Sequence, residues 1–322
     1  MNIRVNIPTL PLTPLHNMSE LIKGRIIKGL GGLYEVETPS GDKIPCKAKG
    51  SFRHDKITPY VGDSVAVRAE KNGNLIDEIV DRKNSLIRPP VANLDILFIV
   101  VSVAKPSPIL PITDKLISIA EYNKIEPVII ISKCDLDEEE ARKIEDIYKK
   151  CGFTTFVSGI ESDKQELFEF VCNKANGKIS AFAGASGVGK STVINALFPK
   201  IALETGEVSH KTERGKHTTR HVELFRLDYL TENGGLSGYI ADTPGFSLLD
   251  FTRFDFFGKD DLVYTFREFD DLLGTCKYTK CSHTSEDGCK IIEAVKNGTI
   301  PKERHLSYVE LYNTLKNKHS WD

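Results

Sequence analysis

Between Leu21 and about Arg88, apolar and polar positions alternate in short runs, as at Tyr34 and Val36 and again at Val65 and Val67. A period of two predicts strands with one buried face. The runs GRIIKGLGGLYEVET, KIPCKAKG, VGDSVAVRAE and NLIDEIVDR are separated by short breaks. Gly29, Gly31 and Gly32 predict a turn between the first two strands, and Asn72-Gly73 predicts a hairpin. Short strands spaced this closely predict a small closed β-barrel, and the OB-fold fits best.

Arg88-Pro89-Pro90 predicts a stiff hinge, because each proline fixes its own φ and restricts the residue before it. Beyond it the pattern changes. Apolar runs at Ile96–Val103, Val128–Ser132, Thr154–Ser158 and Ile179–Gly184 predict strands. They alternate with helical periodicity over Pro111–Asn123, Glu138–Lys150, Lys164–Asn176 and Gly187–Phe198, which predicts a parallel α/β sheet. Past Asp250 the chain turns aromatic and polar, gathers cysteines, and closes on a helical stretch over Lys302–Lys316. The expected organisation is a flexible extension over residues 1–18, a barrel over 19–88, an α/β domain over 89–253 and a helical C-terminal domain over 254–322. Met1 and Met18 are the only methionines, and organised sequence starts at Met18. The first 17 residues are therefore expected to be an extension or the product of a misplaced start.

Composition narrows the function classes. Hydrophobic residues make up 40% and charged residues 27% of 322, which excludes a disordered chain. Lys and Arg total 43 against 45 Asp and Glu, so a uniformly basic nucleic-acid coat is excluded and any RNA contact must come from a local patch. Lys43, Lys47, Lys49, Arg53 and Lys56 face only one acid, Asp55, in that stretch. The longest apolar run, Ile96 to Ala104, falls far short of a membrane span, and the N-terminus lacks the apolar core of a signal peptide. A cytoplasmic protein with no membrane partner is expected.

Gly184-Ala185-Ser186-Gly187-Val188-Gly189-Lys190-Ser191 matches G-x-x-x-x-G-K-[ST] at every fixed position, with a strand before it and a helix after it. Such a loop converges backbone N–H groups on phosphates at the positive end of a helix. Lys190 is expected to reach the β- and γ-phosphates and Ser191 to ligate Mg²⁺, with Thr192 completing the nucleotide set. Ser132-Lys133-Cys134-Asp135 ends the strand VIIIS and resembles the N-K-x-D element of GTPases. A carboxylate there accepts from guanine N1–H and the exocyclic amine, a pair that adenine does not offer. Asn is usual where Ser132 stands, so a contact to guanine N7 is expected to be lost or made through water. Val157-Ser158-Gly159 follows the next strand and resembles, imperfectly, the S-A-x element that offers backbone to the base.

Gly215-Lys216-His217-Thr218-Thr219-Arg220 reads as a switch segment in which Thr219 ligates Mg²⁺. Asp242-Thr243-Pro244-Gly245 matches D-x-x-G, with Asp242 acting on the metal through water and the Gly245 N–H sensing the γ-phosphate. The order of motifs is unusual. Base-recognition elements at 132–135 and 157–159 precede the phosphate loop at 184–191, whereas ordinary GTPases place them last. All would lie at the carboxyl ends of parallel strands, so rejoining the termini preserves the site.

Cys46, Cys134, Cys151 and Cys172 are scattered, but Cys276-x4-Cys281-x-His283-x5-Cys289 supplies three thiolates and an imidazole within 14 residues. That set fits a closed, tetrahedral, structural zinc site. His305 is expected to be a helix-surface residue.

Taken together, from Met18 to the C-terminus, the chain resembles the bacterial ribosome small subunit-dependent GTPase A family of circularly permuted GTPases. The resemblance implies a multidomain protein: an N-terminal β-barrel (OB-fold) that binds RNA, a permuted α/β P-loop GTPase domain and a zinc-binding helical C-terminal domain. It implies GTP hydrolysis to GDP and phosphate, stimulated by the small ribosomal subunit during that subunit's late maturation, with GTP/GDP, Mg²⁺ and one Zn²⁺ as cofactors, the subunit and its rRNA as partners, and a monomer. Phe246 stands where many GTPases place a water-orienting Gln, which leaves His217 as the nearest group able to orient or deprotonate the water. The zinc domain follows the second switch directly, so nucleotide state is expected to reorient it. Two other readings stand beside this one: a nucleic-acid-binding adaptor with a vestigial nucleotide site, and a P-loop ATPase.

Overall fold

The computed structural model describes residues 21–70, 72–159, 163–201, 222–231, 234–243 and 257–317. The extension expected over residues 1–18 lies outside them.

The first five strands are β1 (Ile22–Leu30), β2 (Leu33–Glu37), β3 (Lys43–Ala48), β4 (Ser64–Glu70) and β5 (Gly73–Ile79), with a one-turn helix α1 (Ser51–His54) between β3 and β4. They pair in the order β1-β2-β3-β5-β4, and β4 returns to β1, so the sheet closes into the expected five-stranded barrel. Ile26, Val36, Cys46, Val65, Val67 and Ile76 fill its interior. Leu30 pairs with Leu33 across Gly31-Gly32, whose positive φ values suit a tight hairpin turn. Gly29 lies within β1 rather than in that turn. A Cβ there would come within 3.2 Å of the Tyr34 ring, so its role is to admit the ring.

Arg88-Pro89-Pro90 forms the turn of a short ladder between β6 (Ser85–Leu86) and β7 (Val91–Ala92). The ladder is tied to both neighbours. Asn93 Nδ2 donates to the Gly62 carbonyl, Arg82 pairs with the fully buried Asp63, and Lys83 pairs with Asp95.

The α/β domain has strands β8 (Ile96–Ser102), β9 (Glu126–Ser132), β10 (Thr154–Ser158), β11 (Lys178–Gly184), β12 (Glu223–Arg226) and β13 (Gly238–Asp242). Their order is β10-β9-β8-β11-β13-β12, parallel throughout except at β12. The helices are α2 (Leu110–Tyr122), α3 (Glu138–Lys150), α4 (Lys164–Ala175), α5 (Lys190–Leu197) and the short α6 (Leu227–Thr231). Helix α3 starts under an Asp137 cap, whose carboxylate accepts from the Glu140 N–H. Alternate residues of β8 and β9 serve two separate cores, Leu97, Ile99, Ile129 and Ile131 on one face and Phe98, Val100, Val128 and Ile130 on the other. Burial on both faces is why these strands read as continuous apolar runs. Helix α5 begins at Lys190, three residues later than its periodicity predicted, because Gly187 and Gly189 hold positive φ and the loop before it is not helical.

Barrel and α/β sheet are continuous. β1 pairs with β12 at Lys28 and Glu223, whose side chains form a 2.7 Å ion pair, and Tyr239 on β13 donates to the buried Glu37 of β2 at 2.7 Å. After two 3₁₀ turns, Leu262–Thr265 and Arg267–Leu272, the chain forms α7 (Lys290–Lys296) and α8 (Lys302–Lys316). Arg304 of α8 is fully buried between Asp114 of α2 and Glu268, with its guanidinium 4.4 Å from the Phe266 ring centroid. The zinc-type module is thereby fastened directly onto the helix that follows β8, a link beyond the chain continuity expected from the sequence.

Candidate functional site

Parallel register decides where the motifs meet. Gly184 lies beside Val100, Ser102 beside Ser132, and Ser132 beside Ser158. Ala181 of β11 lies beside Ala241, so Asp242 ends β13 at the same edge. Carboxyl ends of five parallel strands thus assemble the residues that sequence spacing scatters from 132 to 242.

The phosphate loop leaves β11 at Gly184, where a Cβ would meet the Val100 carbonyl oxygen at 2.5 Å. No other residue fits there. Gly187 and Gly189 have positive φ (+81° and +96°), a backbone path that glycine takes without strain and that loops converging N–H groups on an anion use. Val188 is buried as an anchor, Ala185, Gly189 and Lys190 are half-buried, and Ser186, Gly187, Ser191 and Thr192 are exposed. The hydroxyl side chains of Ser191 and Thr192, expected at the metal and the nucleotide, are therefore exposed, Lys190 is half-buried, and the apolar Val188 is enclosed.

Base-side residues also act on this loop. Ser132 is fully buried, and its Oγ lies 2.7 Å from the Val188 carbonyl oxygen and 3.2 Å from that of Val101. Lys133 has a left-handed backbone (φ +61°), and its Nζ donates to the carbonyls of Lys105 and Gly187 at 2.6 and 3.0 Å. Cys134 and Asp135 follow in a 3₁₀ turn, with Asp135 exposed beyond the carboxyl end of β9. Burial, and then the carboxylates of Asp163, Asp135 and Glu138, push the Cys134 thiol up, so it is neutral near pH 7. Ser158 is buried, and the Gly159 N–H donates to Asp163 at 2.7 Å.

Sequence reasoning missed the loop after β8. Ser102 Oγ donates to the Pro106 carbonyl, Lys133 bonds the Lys105 carbonyl, and Pro106 sits 3.4 Å from where a Gly187 Cβ would be. The available signal was Lys105-Pro106-Ser107-Pro108, a proline-rich stretch directly after a buried strand.

Asp242 pairs across the ladder with Glu223, which Lys28 of the barrel neutralises. His217, Thr219 and Gly245, expected in catalysis and metal ligation, lie outside the described residues, as does Phe246.

Cys276, Cys281, His283 and Cys289 do converge, with one ligand atom from each lying within 4.8 Å of all the others. Cys276 and Cys289 sulfurs are 3.9 Å apart, and His283 Nδ1 is 3.5 and 3.4 Å from them. A tetrahedral zinc with bonds of about 2.3 Å to sulfur and about 2.0 Å to nitrogen demands separations of about 3.8 and about 3.5 Å. The donor set therefore fits zinc in number, type and spacing. Burial and the crowding of three sulfurs push the Cys281 thiol up to about 12, a penalty that a bound cation reverses. Glu286 braces the ligand loop. Burial opposes its charge, but the Ser282 hydroxyl and the N–H groups of Ser282 and Ser285 hold its carboxyl down at about 2. His305 departs from its expected surface role: it is half-buried, and its Nε2 bonds the His283 carbonyl at 2.7 Å.

Comparison with known proteins places the chain. Residues 79–252 match the model of the RsgA GTPase family, and residues 23–75 match that of the RsgA N-terminal domain. The chain belongs to the RsgA GTPase family. The small ribosomal subunit biogenesis GTPase RsgA of Caldanaerobacter subterraneus subsp. tengcongensis is 42% identical over 302 residues, covering 93% of this chain and 97% of the relative. The protein of the same name from Clostridium beijerinckii is 41% identical, covering 92% and 100%. Among solved structures, YjeQ from Thermotoga maritima superposes with a TM-score of 0.76 at 31% identity, covering 93% and 100%. YloQ, described as a circularly permuted GTPase, gives 0.74 at 32%, covering 95% and 99%. The N-terminal domain and the GTPase domain are thus those of the RsgA family, and the permuted motif order is shared with YloQ.

Proposed function

We infer that this protein hydrolyses GTP to GDP and phosphate while bound to the small ribosomal subunit, and that it assists or checks the subunit's late maturation. The observation that carries the reading is the meeting of the phosphate loop, Asp135 and Asp242 at one sheet edge in an RsgA-type chain. Relatives at about 40% identity over most of the chain carry small-subunit biogenesis in their names.

Gly184, Ala185, Ser186, Gly187, Val188 and Gly189 cradle the phosphates with backbone N–H groups, and Lys190 neutralises the β- and γ-phosphate oxygens. Ser191, Thr219 and, through water, Asp242 are assigned to Mg²⁺, which supplies charge stabilisation to the phosphoryl oxygens. Asp135 selects guanine, flanked by Lys133, Cys134 and Ser158. His217 orients or deprotonates the water, and Gly245 reports the γ-phosphate to the second switch. Cys276, Cys281, His283 and Cys289 hold one zinc with no open position, so its role is structural. The barrel face over Lys43–Lys56 supplies rRNA contact. Among the described residues no helix is long and apolar enough to cross a membrane, and we assign a monomer acting in the cytoplasm.

GTP turnover measured with and without purified small subunits tests the reading. Stimulation of tenfold or more is expected, and none would overturn it. His217→Ala, retaining stimulated turnover, would remove that residue from the mechanism alone.

A further inference from the structure

We propose that Ser132 is a positioning residue for the phosphate loop and that the site does not read the imidazole edge of the base, so that guanine nucleotides altered at N7 bind as GTP does. This rests on the assignment of Asp135 as the base-reading carboxylate.

A hydroxyl carries one hydrogen. That of Ser132 is directed at the Val188 carbonyl, 2.7 Å away, with Val101 as its other oxygen neighbour. The residue has no exposed surface, so no ligand atom approaches its lone pairs. A side chain that reads N7 must present a donor in the cleft, and Ser132 presents none. Neighbouring base-side donors are engaged as well. Lys133 Nζ bridges the Lys105 and Gly187 carbonyls, and the Gly159 N–H is held by Asp163. Ser132 and Lys133 therefore bind two successive carbonyls of the phosphate loop, those of Val188 and Gly187. With those carbonyls tied back to the strand end, the loop's N–H groups are left for phosphate. Asn at this position would be long enough to serve both the loop and the base. Ser serves the loop only, and discrimination then falls to Asp135, which faces the opposite edge of the purine.

The test is displacement of a fluorescent GDP analogue from the full chain by GTP, by ITP, which lacks the exocyclic amine, and by 7-deaza-GTP, in which C–H replaces N7. GTP is expected to bind about tenfold or more tighter than ITP, since a hydrogen bond to a charged group is lost, and 7-deaza-GTP within twofold of GTP. A fivefold or greater loss with 7-deaza-GTP, while ITP is still discriminated, overturns the proposal and leaves the base site standing. Equal binding of GTP and ITP overturns both. Ser132→Ala is expected to weaken GTP and 7-deaza-GTP by one common factor, about fivefold or more, because the Val188 carbonyl of the loop loses its buried donor, and Ser132→Thr restores it. A common factor near one, or unequal factors, refutes the positioning role.

Discussion

Arg304 of α8 donates to Asp114 of α2 at 2.6 Å, and neither side chain is more than 1% exposed. Glu268 takes the other side of the guanidinium, and Tyr148 donates its hydroxyl to the same Asp114 oxygen. Helix α2 begins just past the loop that touches Gly187, so the fastening of the C-terminal module and the phosphate loop share one short structural path.

Such a pair tolerates loss of one partner badly, because the survivor is a buried, uncompensated charge. Arg304→Met is expected to cost about 3–5 kcal/mol and to release α8 from α2. Urea unfolding monitors the first effect, and limited proteolysis of residues 257–317 the second. A variant that unfolds at the parental urea concentration with unchanged protease resistance would contradict the role given to this pair.

Much of this arrangement was legible in advance. Strand and helix bounds followed the apolar pattern, and α3, β10 and α8 matched the predicted ends, because turn residues and caps bound those elements sharply. The phosphate loop and the Cys/His set were legible because their chemistry fixes residue types at fixed spacings. Arg304–Asp114 was not legible. A buried guanidinium looks like any surface arginine on a helix until its partners, 190 residues away for Asp114, are placed beside it. Ser132 bonding the Val188 carbonyl and His305 bonding the His283 carbonyl were hidden for the same reason. Each depends on a long-range carbonyl, and carbonyls leave no mark in a sequence.

Within residues 276–289 only His283 and Cys289 are buried, so these loops enclose little apolar surface of their own, and the proposed zinc would supply the missing closure. One equivalent of zinc is expected in purified protein. Cys289→Ala, or stripping by a chelator, should open the 276–289 segment to protease and weaken the docking of α8, since structural zinc contributes on the order of 10 kcal/mol in small modules. Metal analysis with proteolysis and mass spectrometry reads both. Metal-free protein with full protease resistance would exclude a structural zinc.

Tyr239 joins β13 to the barrel through Glu37, and burial, followed by that carboxylate, raises its phenol from 10.0 to about 12. A raised folded-state pKa means that the contribution is fully present below pH 10 and is lost as pH rises towards 12. Tyr239→Phe should therefore be less stable than the parent at neutral pH, with the gap closing between pH 10 and 12. Denaturation of both proteins across that range decides the matter, and a gap that stays constant would show that the phenol does not titrate as its surroundings dictate.

In the proposed reading Asp135 selects the base by accepting from two N–H groups of guanine, and its exposed side chain leaves room for that approach. In Asp135→Asn the side-chain amide donates where the carboxylate accepted, so it repels the exocyclic amine and suits the 2-oxo group of xanthine. GTP affinity should fall about 10- to 100-fold, the scale of a lost hydrogen bond to a charged group, while XTP affinity rises. The fold should be unaffected, because the residue packs against nothing in the core. Competition binding with GTP and XTP, run beside thermal unfolding, separates the two effects. Unchanged GTP affinity in a folded variant would move base recognition away from Asp135 and with it the assignment of the 132–135 segment.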